Sequence, residues 1–170
     1  MPFQSTHRFA SAPIVAVTAF LLVASFSHAQ NVNPFANLHG SWTGGGAIVL
    51  SSGTKERIRC RASYTSADIM NIKALRLEIR CASDSYNFNL LGDIIYNGGA
   101  ISGIWSEMTR GASGKITGTA AGDQIEAIAE SPTFQAILEL TTRGDRQSFR
   151  LQSPGSDVSE VLIALSRSSK

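Results

Sequence analysis

The chain of 170 residues carries fifteen Lys and Arg against thirteen Asp and Glu, with two cysteines and three histidines. That balance removes any general electrostatic pull toward nucleic acid or an anionic membrane and leaves only local patches to argue from. Beyond the leader described next remain about 140 residues, one domain's worth and enough to bury a real core.

His7 and Arg8 make a weakly basic start, Ala12 to Phe26 (APIVAVTAFLLVASF) is an apolar run too short to span a bilayer, and Ser27-His28-Ala29 offers small residues at a cleavage point. The pattern predicts a signal peptide over 1–29 and a mature chain starting at Gln30; an uncleaved membrane anchor is the alternative reading of the same run. No cysteine follows the run to carry a lipid, and no twin-arginine pair precedes it. No later stretch is apolar enough for a membrane-spanning helix, and no Asn-x-Ser/Thr sequon is present. The expected location is therefore a bacterial periplasm or the medium. Arg8 is the only charged side chain in 1–29, so the mature chain stays close to neutral.

Gln30 to His39, containing Pro34, is predominantly uncharged and reads as an N-terminal arm in front of a barrel domain over 40–170. Gly40 to Ser51 is the first predicted strand. Arg57 to Thr65 then alternates Arg57, Arg59 and Arg61 with Ile58, Cys60, Ala62 and Tyr64, and Ala74 to Ala82 alternates Leu75, Leu77, Ile79 and Cys81 with Arg76, Glu78 and Arg80. Further strands are predicted at Ser85 to Leu91, Ile94 to Asn97, Ala100 to Glu107, Lys115 to Ala120, Gln124 to Glu130, Phe134 to Thr142, Gln147 to Gln152 and Glu160 to Arg167. Gly- and Asp-rich turns separate them. Within Gln124 to Leu140, Ile125 and Ile128 also fit a helix; Pro132 and the alternation of Phe134, Ala136, Leu138 and Leu140 favour two strands. Many short strands at even spacing predict an all-β, antiparallel up-and-down meander, and closure into a single β-barrel removes its exposed edges.

Both cysteines occur in the tripeptide Ile-Arg-Cys. A hairpin that sets Cys60 opposite Cys81 also sets Ala62 opposite Ile79 and Tyr64 opposite Leu77, so both thiols point to the apolar face. In an oxidising compartment the expected outcome is a structural disulfide. A metal site would want more ligands than His39, the one mature histidine, and a redox pair would favour Cys-x-x-Cys. The opposite face carries a candidate basic surface, Arg57, Arg59, Arg61, Arg76 and Arg80. It is either a solvated strand face that repels edge pairing or a site for an anionic glycan, lipid head group or acidic protein loop.

Ile101, Gly103, Trp105 and Glu107 share one face of their strand, and on closure Tyr64, Tyr86 and Phe88 are candidates to converge with Trp105 and Glu107 on a ligand pocket. The other reading is a core filled by its own side chains. No catalytic constellation is expected. His39 has no nucleophile elbow near any serine and Gly44-Gly45-Gly46 lacks the Lys and Ser/Thr of a phosphate loop; a carboxylate pair for glycoside hydrolysis stays open among Asp93, Glu107, Asp123, Glu126 and Glu130, which are spread over strands whose facing the sequence does not fix.

Gly40 and Trp42 on the first strand, with Arg167 late on the last, resemble the pattern of the calycin-type barrels: lipocalins, avidins and the small periplasmic protease inhibitors of bacteria. The resemblance implies a barrel whose Arg167 packs over Trp42 at closure. Apart from it, no cofactor and no metal are expected. The expected function is an exported, non-catalytic barrel binding a small apolar or amphipathic ligand. The alternative is a protein-binding module, such as an inhibitor of a secreted or periplasmic enzyme, whose partner is an extracytoplasmic protein.

Overall fold

A computed structural model describes Met1 and residues 33–169. Apart from Met1, the predicted signal peptide over 1–29 lies outside the described residues, as does the beginning of the arm at Gln30. After a short 3-10 turn (Ala36–Leu38) the chain forms ten strands: β1 (Gly40–Leu50), β2 (Lys55–Ile69), β3 (Ile72–Ala82), β4 (Asn87–Asn97), β5 (Ala100–Glu107), β6 (Ala112–Ala121), β7 (Gln124–Glu130), β8 (Gln135–Arg143), β9 (Arg146–Gln152) and β10 (Val158–Arg167). Every neighbouring pair is antiparallel, and β1 pairs with both β2 and β10, so the meander closes into one barrel without a free edge.

The period-two pattern decides which side chains go inside. On β2, Ile58, Cys60, Ala62 and Tyr64 are buried while Arg57, Arg59, Arg61, Ser63 and Thr65 are exposed. The β2–β3 register sets Cys60 against Cys81, Ala62 against Ile79 and Tyr64 against Leu77, as the alternation predicts. Cys60 and Cys81 are joined in a disulfide. The ambiguous stretch from Gln124 resolves as two strands, β7 and β8, separated by Ser131 to Phe134 with Pro132 in the turn.

One expectation is corrected. Ser85 to Leu91 and Ile94 to Asn97 are not two strands but the single strand β4, which runs through Gly92 and Asp93. Gly92 lies opposite Leu77 of β3, and a Cβ there would come within 3.0 Å of the Leu77 side chain. The glycine makes room for a neighbour inside the sheet; it does not end the strand.

The two ends of the barrel are connected differently. At one end, β2–β3, β4–β5, β6–β7 and β8–β9 are joined by two-residue turns, Met70-Asn71, Gly98-Gly99, Gly122-Asp123 and Gly144-Asp145. At the other end the strands are joined by loops of four or five residues. Among the described residues no helix is long and apolar enough to cross a membrane.

Candidate functional site

The end with tight turns is sealed. Phe35, Leu38 and Trp42 are fully or almost fully buried there, and the Trp42 indole N–H donates to the Leu38 carbonyl at 2.7 Å. Arg167, opposite Trp42 across the β1–β10 pair, lies with its guanidinium carbon 4.3 Å from the ring centroid. Its Nε donates to Asp145 Oδ1 at 2.8 Å, Nη2 to the Asn37 carbonyl at 2.7 Å and Nη1 to the His39 carbonyl. Gly40 has a φ of 114°, a value L side chains rarely adopt, and a Cβ there would face Arg167 Nη1 at 3.4 Å. The described part of the predicted arm, Asn33 to His39, is thus tied across the barrel end through Leu38, Asn37 and His39. Below it a buried polar relay is satisfied: Tyr64 Oη donates to Gln147 Oε1 at 2.9 Å, and Gln147 Nε2 donates to Thr142 Oγ1 at 3.1 Å. Burial pushes the Tyr64 phenol well above its ordinary pKa, with the Gln147 contact opposing only in part.

Toward the long loops the interior is not filled. A cavity of about 390 Å³ opens at that end, within the size range of small-molecule sites, roughly 300 to 1,000 Å³. Its wall is made by inward side chains that alternation supplies from β2, β3, β4, β9 and β10, chiefly Ile58, Ile79, Leu90, Phe149, Leu151, Val161 and Ile163. Tyr86 and Phe88 stack at the mouth with centroids 6.1 Å apart, and the Arg110 guanidinium lies 5.6 Å from the first ring and 4.9 Å from the second. Thr133, Ser156 and Asp157 complete the rim from the β7–β8 and β9–β10 loops.

Glu107, at the end of β5, organises this mouth. Its Oε1 accepts the backbone N–H of Asn89 at 2.9 Å and of Thr109 at 3.1 Å, and its Oε2 accepts that of Arg110 at 2.8 Å. Burial by itself raises the Glu107 pKa, but these backbone donors outweigh it and hold the carboxyl below its ordinary value. The carboxylate therefore fastens the β5–β6 loop that carries Arg110.

Of the five residues predicted to converge, Tyr86, Phe88 and Glu107 line the cavity. Tyr64 belongs to the sealed end. Trp105 lies between Gly92 of β4 and Gly114 of β6, and its indole reaches over Gly114, where a Cβ would come within 3.0 Å of Cζ2. Its N–H donates to the Lys115 carbonyl at 3.1 Å, and Phe134, which lines the cavity, packs edge-on against it at 5.3 Å. The indole is thus part of the wall behind Phe134. Arg110, Phe134, Phe149 and Asp157 were not singled out by sequence reasoning. Phe149 is legible as an inward residue of β9 and Phe134 as the first member of the Phe134 to Leu140 alternation, whereas Arg110 and Asp157 stand in loops where alternation gives no facing.

All five residues of the candidate basic surface are exposed. Arg76 is paired with Asp93 at 2.8 Å and Arg80 with Glu78 at 2.5 Å, while Arg57, Arg59 and Arg61 have no carboxylate within ion-pair distance among the described residues. Of Asp93, Glu107, Asp123, Glu126 and Glu130, only Glu107 lines the cavity; Asp123 is bound to Arg143 at 2.6 Å in a turn at the sealed end. His39 is exposed at the sealed end, and its Nδ1 accepts the Ser66 N–H at 3.4 Å. Among the described residues no three His, Cys, Asp or Glu side chains are grouped to hold a metal ion.

No family model and no curated protein matches this chain. Solved structures do share its architecture. The structure of Rv2717c from M. tuberculosis superposes with a TM-score of 0.63 at 18% identity, covering 83% of this chain and 99% of that one. An S-type phycobiliprotein lyase, CPES from Guillardia theta, gives a TM-score of 0.56 at 12% identity, covering 80% of this chain and 91% of that one. At these identities the likeness is one of fold alone, a closed antiparallel barrel.

Proposed function

We propose that this protein is an exported, non-catalytic barrel that holds a small apolar or amphipathic molecule in the cavity at its long-loop end. The observation that carries this reading is the cavity of about 390 Å³, apolar along its wall and polar only at its mouth. A barrel sealed at one end by Trp42 and Arg167 and open at the other is a one-ended container, the geometry expected for uptake through the loops. One neighbour in fold is, by its name, a phycobiliprotein lyase, which supports reading a barrel of this architecture as one that handles a small molecule. Glu107, the acid nearest such a ligand, is engaged by three backbone N–H groups and is a poor proton donor or base, which supports carriage over catalysis.

Export is read from the signal peptide that the sequence predicts over 1–29 and is supported by the Cys60–Cys81 bond, which persists in oxidising compartments. The outward face supports a soluble barrel: a lipid-facing barrel presents an apolar band, whereas Arg57, Arg59, Arg61, Lys115, Glu126 and Glu139 are exposed on these strands. The row Arg57, Arg59, Arg61 favours a second reading, a protein-binding module that meets an acidic partner on β2.

Native mass spectrometry of the protein purified from its own host tests the first reading. The expected spectrum contains a retained small molecule that is lost on unfolding. Apo protein throughout, together with failure of an environment-sensitive apolar dye to bind, would remove it and leave the arginine face as the reading to pursue.

A further inference from the structure

Resting on the reading that the cavity holds an amphipathic molecule, we infer that Arg110 receives its head group and that this head is a monoanion, a carboxylate at the end of an apolar body. The guanidinium is held in place before any ligand arrives, 5.6 Å from the Tyr86 ring and 4.9 Å from the Phe88 ring, which themselves stack. Its Nη1 donates to the Asn87 carbonyl at 3.0 Å and lies 3.8 Å from Glu107 Oε2. Nε and Nη2 have no acceptor among the described residues. Those two N–H groups form one edge of the guanidinium plane, the fork that matches the two oxygens of a carboxylate.

Glu107 does not compete for that edge, because both of its oxygens already accept backbone N–H groups from Asn89, Thr109 and Arg110. The same bonds fix the loop on which Arg110 stands. An apolar wall alone would select for a tail of any kind; a cation at its mouth with two unused donors selects among tails by their heads. Asp157 lines the same mouth and is exposed. With Glu107 3.8 Å from Arg110 Nη1 and Asp157 in the same lining, the single positive charge of Arg110 is already offset over the mouth as a whole, so a second negative charge on the head gains nothing and a carboxylate is favoured over a phosphomonoester of the same tail.

The full mature protein, stripped of bound molecules on a hydrophobic exchange resin, is titrated calorimetrically with decanoate, decanol, decylamine and decyl phosphate. Decanoate is expected to bind about tenfold or more tighter than decanol, the difference made by charge-assisted hydrogen bonds at a partly exposed site. Arg110→Gln is expected to bring decanoate to the decanol level while leaving decanol within about threefold, and Arg110→Lys to recover part of the preference because it keeps charge without the fork. A melting curve of Arg110→Gln checks that the loop still folds; if it does not, the four-ligand series on the unaltered protein decides alone. Equal affinity for decanoate and decanol removes the anionic head and leaves the apolar cavity standing. Tighter binding of decylamine transfers the head group to Asp157, and tighter binding of decyl phosphate removes the monoanion; each overturns the inference. Failure of all four to bind removes this inference and the cavity reading together.

Discussion

At the sealed end of the barrel Arg167 lies over Trp42 with Nε, Nη1 and Nη2 all donating to oxygens, whereas at the open end Arg110 lies over Tyr86 and Phe88 with only Nη1 engaged. The two ends repeat one contact, an arginine on an aromatic face, in different surroundings. Around Trp42 the core is packed to zero exposure and the strands are joined by two-residue turns. Around Phe88 the rings are half-buried, the loops are longer and space remains inside. A guanidinium saturated by one carboxylate and two backbone carbonyls acts as a closure; one with an edge left unsatisfied keeps donors to offer.

The largest expected effect breaks the closure. Trp42→Ala removes a fully buried indole, its hydrogen bond to Leu38 and the surface on which Arg167 rests, and should cost about 3 to 5 kcal/mol. Phe88→Ala removes a ring that already borders empty space, and should cost roughly 1 to 2 kcal/mol. Urea unfolding of both variants under one set of conditions measures the pair. Equal losses would mean that the open end is packed as tightly as the sealed one.

The Cys60–Cys81 bond is next in size. It closes a loop with a sequence separation of 21 residues, for which the chain-entropy model gives about 3 kcal/mol. Cys60 and Cys81 face each other in the β2–β3 register in the half of the barrel nearer the long loops, and Cys81 lines the cavity, so the bond cross-links the two strands beside the open end. The Cys60→Ala, Cys81→Ala double variant should lose about that amount. Reductant should lower the melting temperature of the natural protein and leave that of the double variant unmoved. Two alkylatable thiols in protein recovered from the periplasm would overturn both the bond and the compartment.

The contrast between the ends also explains what was legible in the chain. The closure was readable because Gly40, Trp42 and Arg167 are strand residues at fixed places in an alternating pattern, and the disulfide because a register that pairs the cysteines also pairs Tyr64 with Leu77. The mouth was not readable in the same way. Arg110 and Asp157 stand in loops, where period two has no meaning and facing depends on contacts such as the Glu107 bonds that no local pattern announces. Trp105 was legible as inward, yet its level in the barrel and its lean over Gly114 are fixed by the neighbouring strands β4 and β6. Gly92-Asp93 looked like punctuation because glycine ends strands far more often than it makes room for a leucine across a sheet.

The smallest expected effect concerns Glu107, and it sharpens the comparison because this residue makes the open end as ordered as it is. Its folded pKa is held below the unfolded value, so the carboxylate contributes stability that is fully present above the unfolded pKa, about 4.3, and is lost as the pH falls through the folded one. Glu107→Gln keeps the shape and one acceptor oxygen but removes the charge from three backbone N–H donors, and at pH 7 should cost about 1 to 2 kcal/mol. As the pH is lowered below about 4, the natural protein should lose this advantage while the variant, with nothing to protonate at that position, does not; the gap between their urea midpoints should therefore narrow. Amide exchange at Asn89, Thr109 and Arg110 should quicken in the variant at neutral pH, while exchange at Trp42 and Leu165 near the sealed end stays unchanged. A gap that stays constant from pH 7 to pH 3 would mean that the carboxylate acts only by its shape, and the loop carrying Arg110 would then owe its position to its uncharged acceptors, the Asn87 and Asn89 carbonyls, and to the stacked rings.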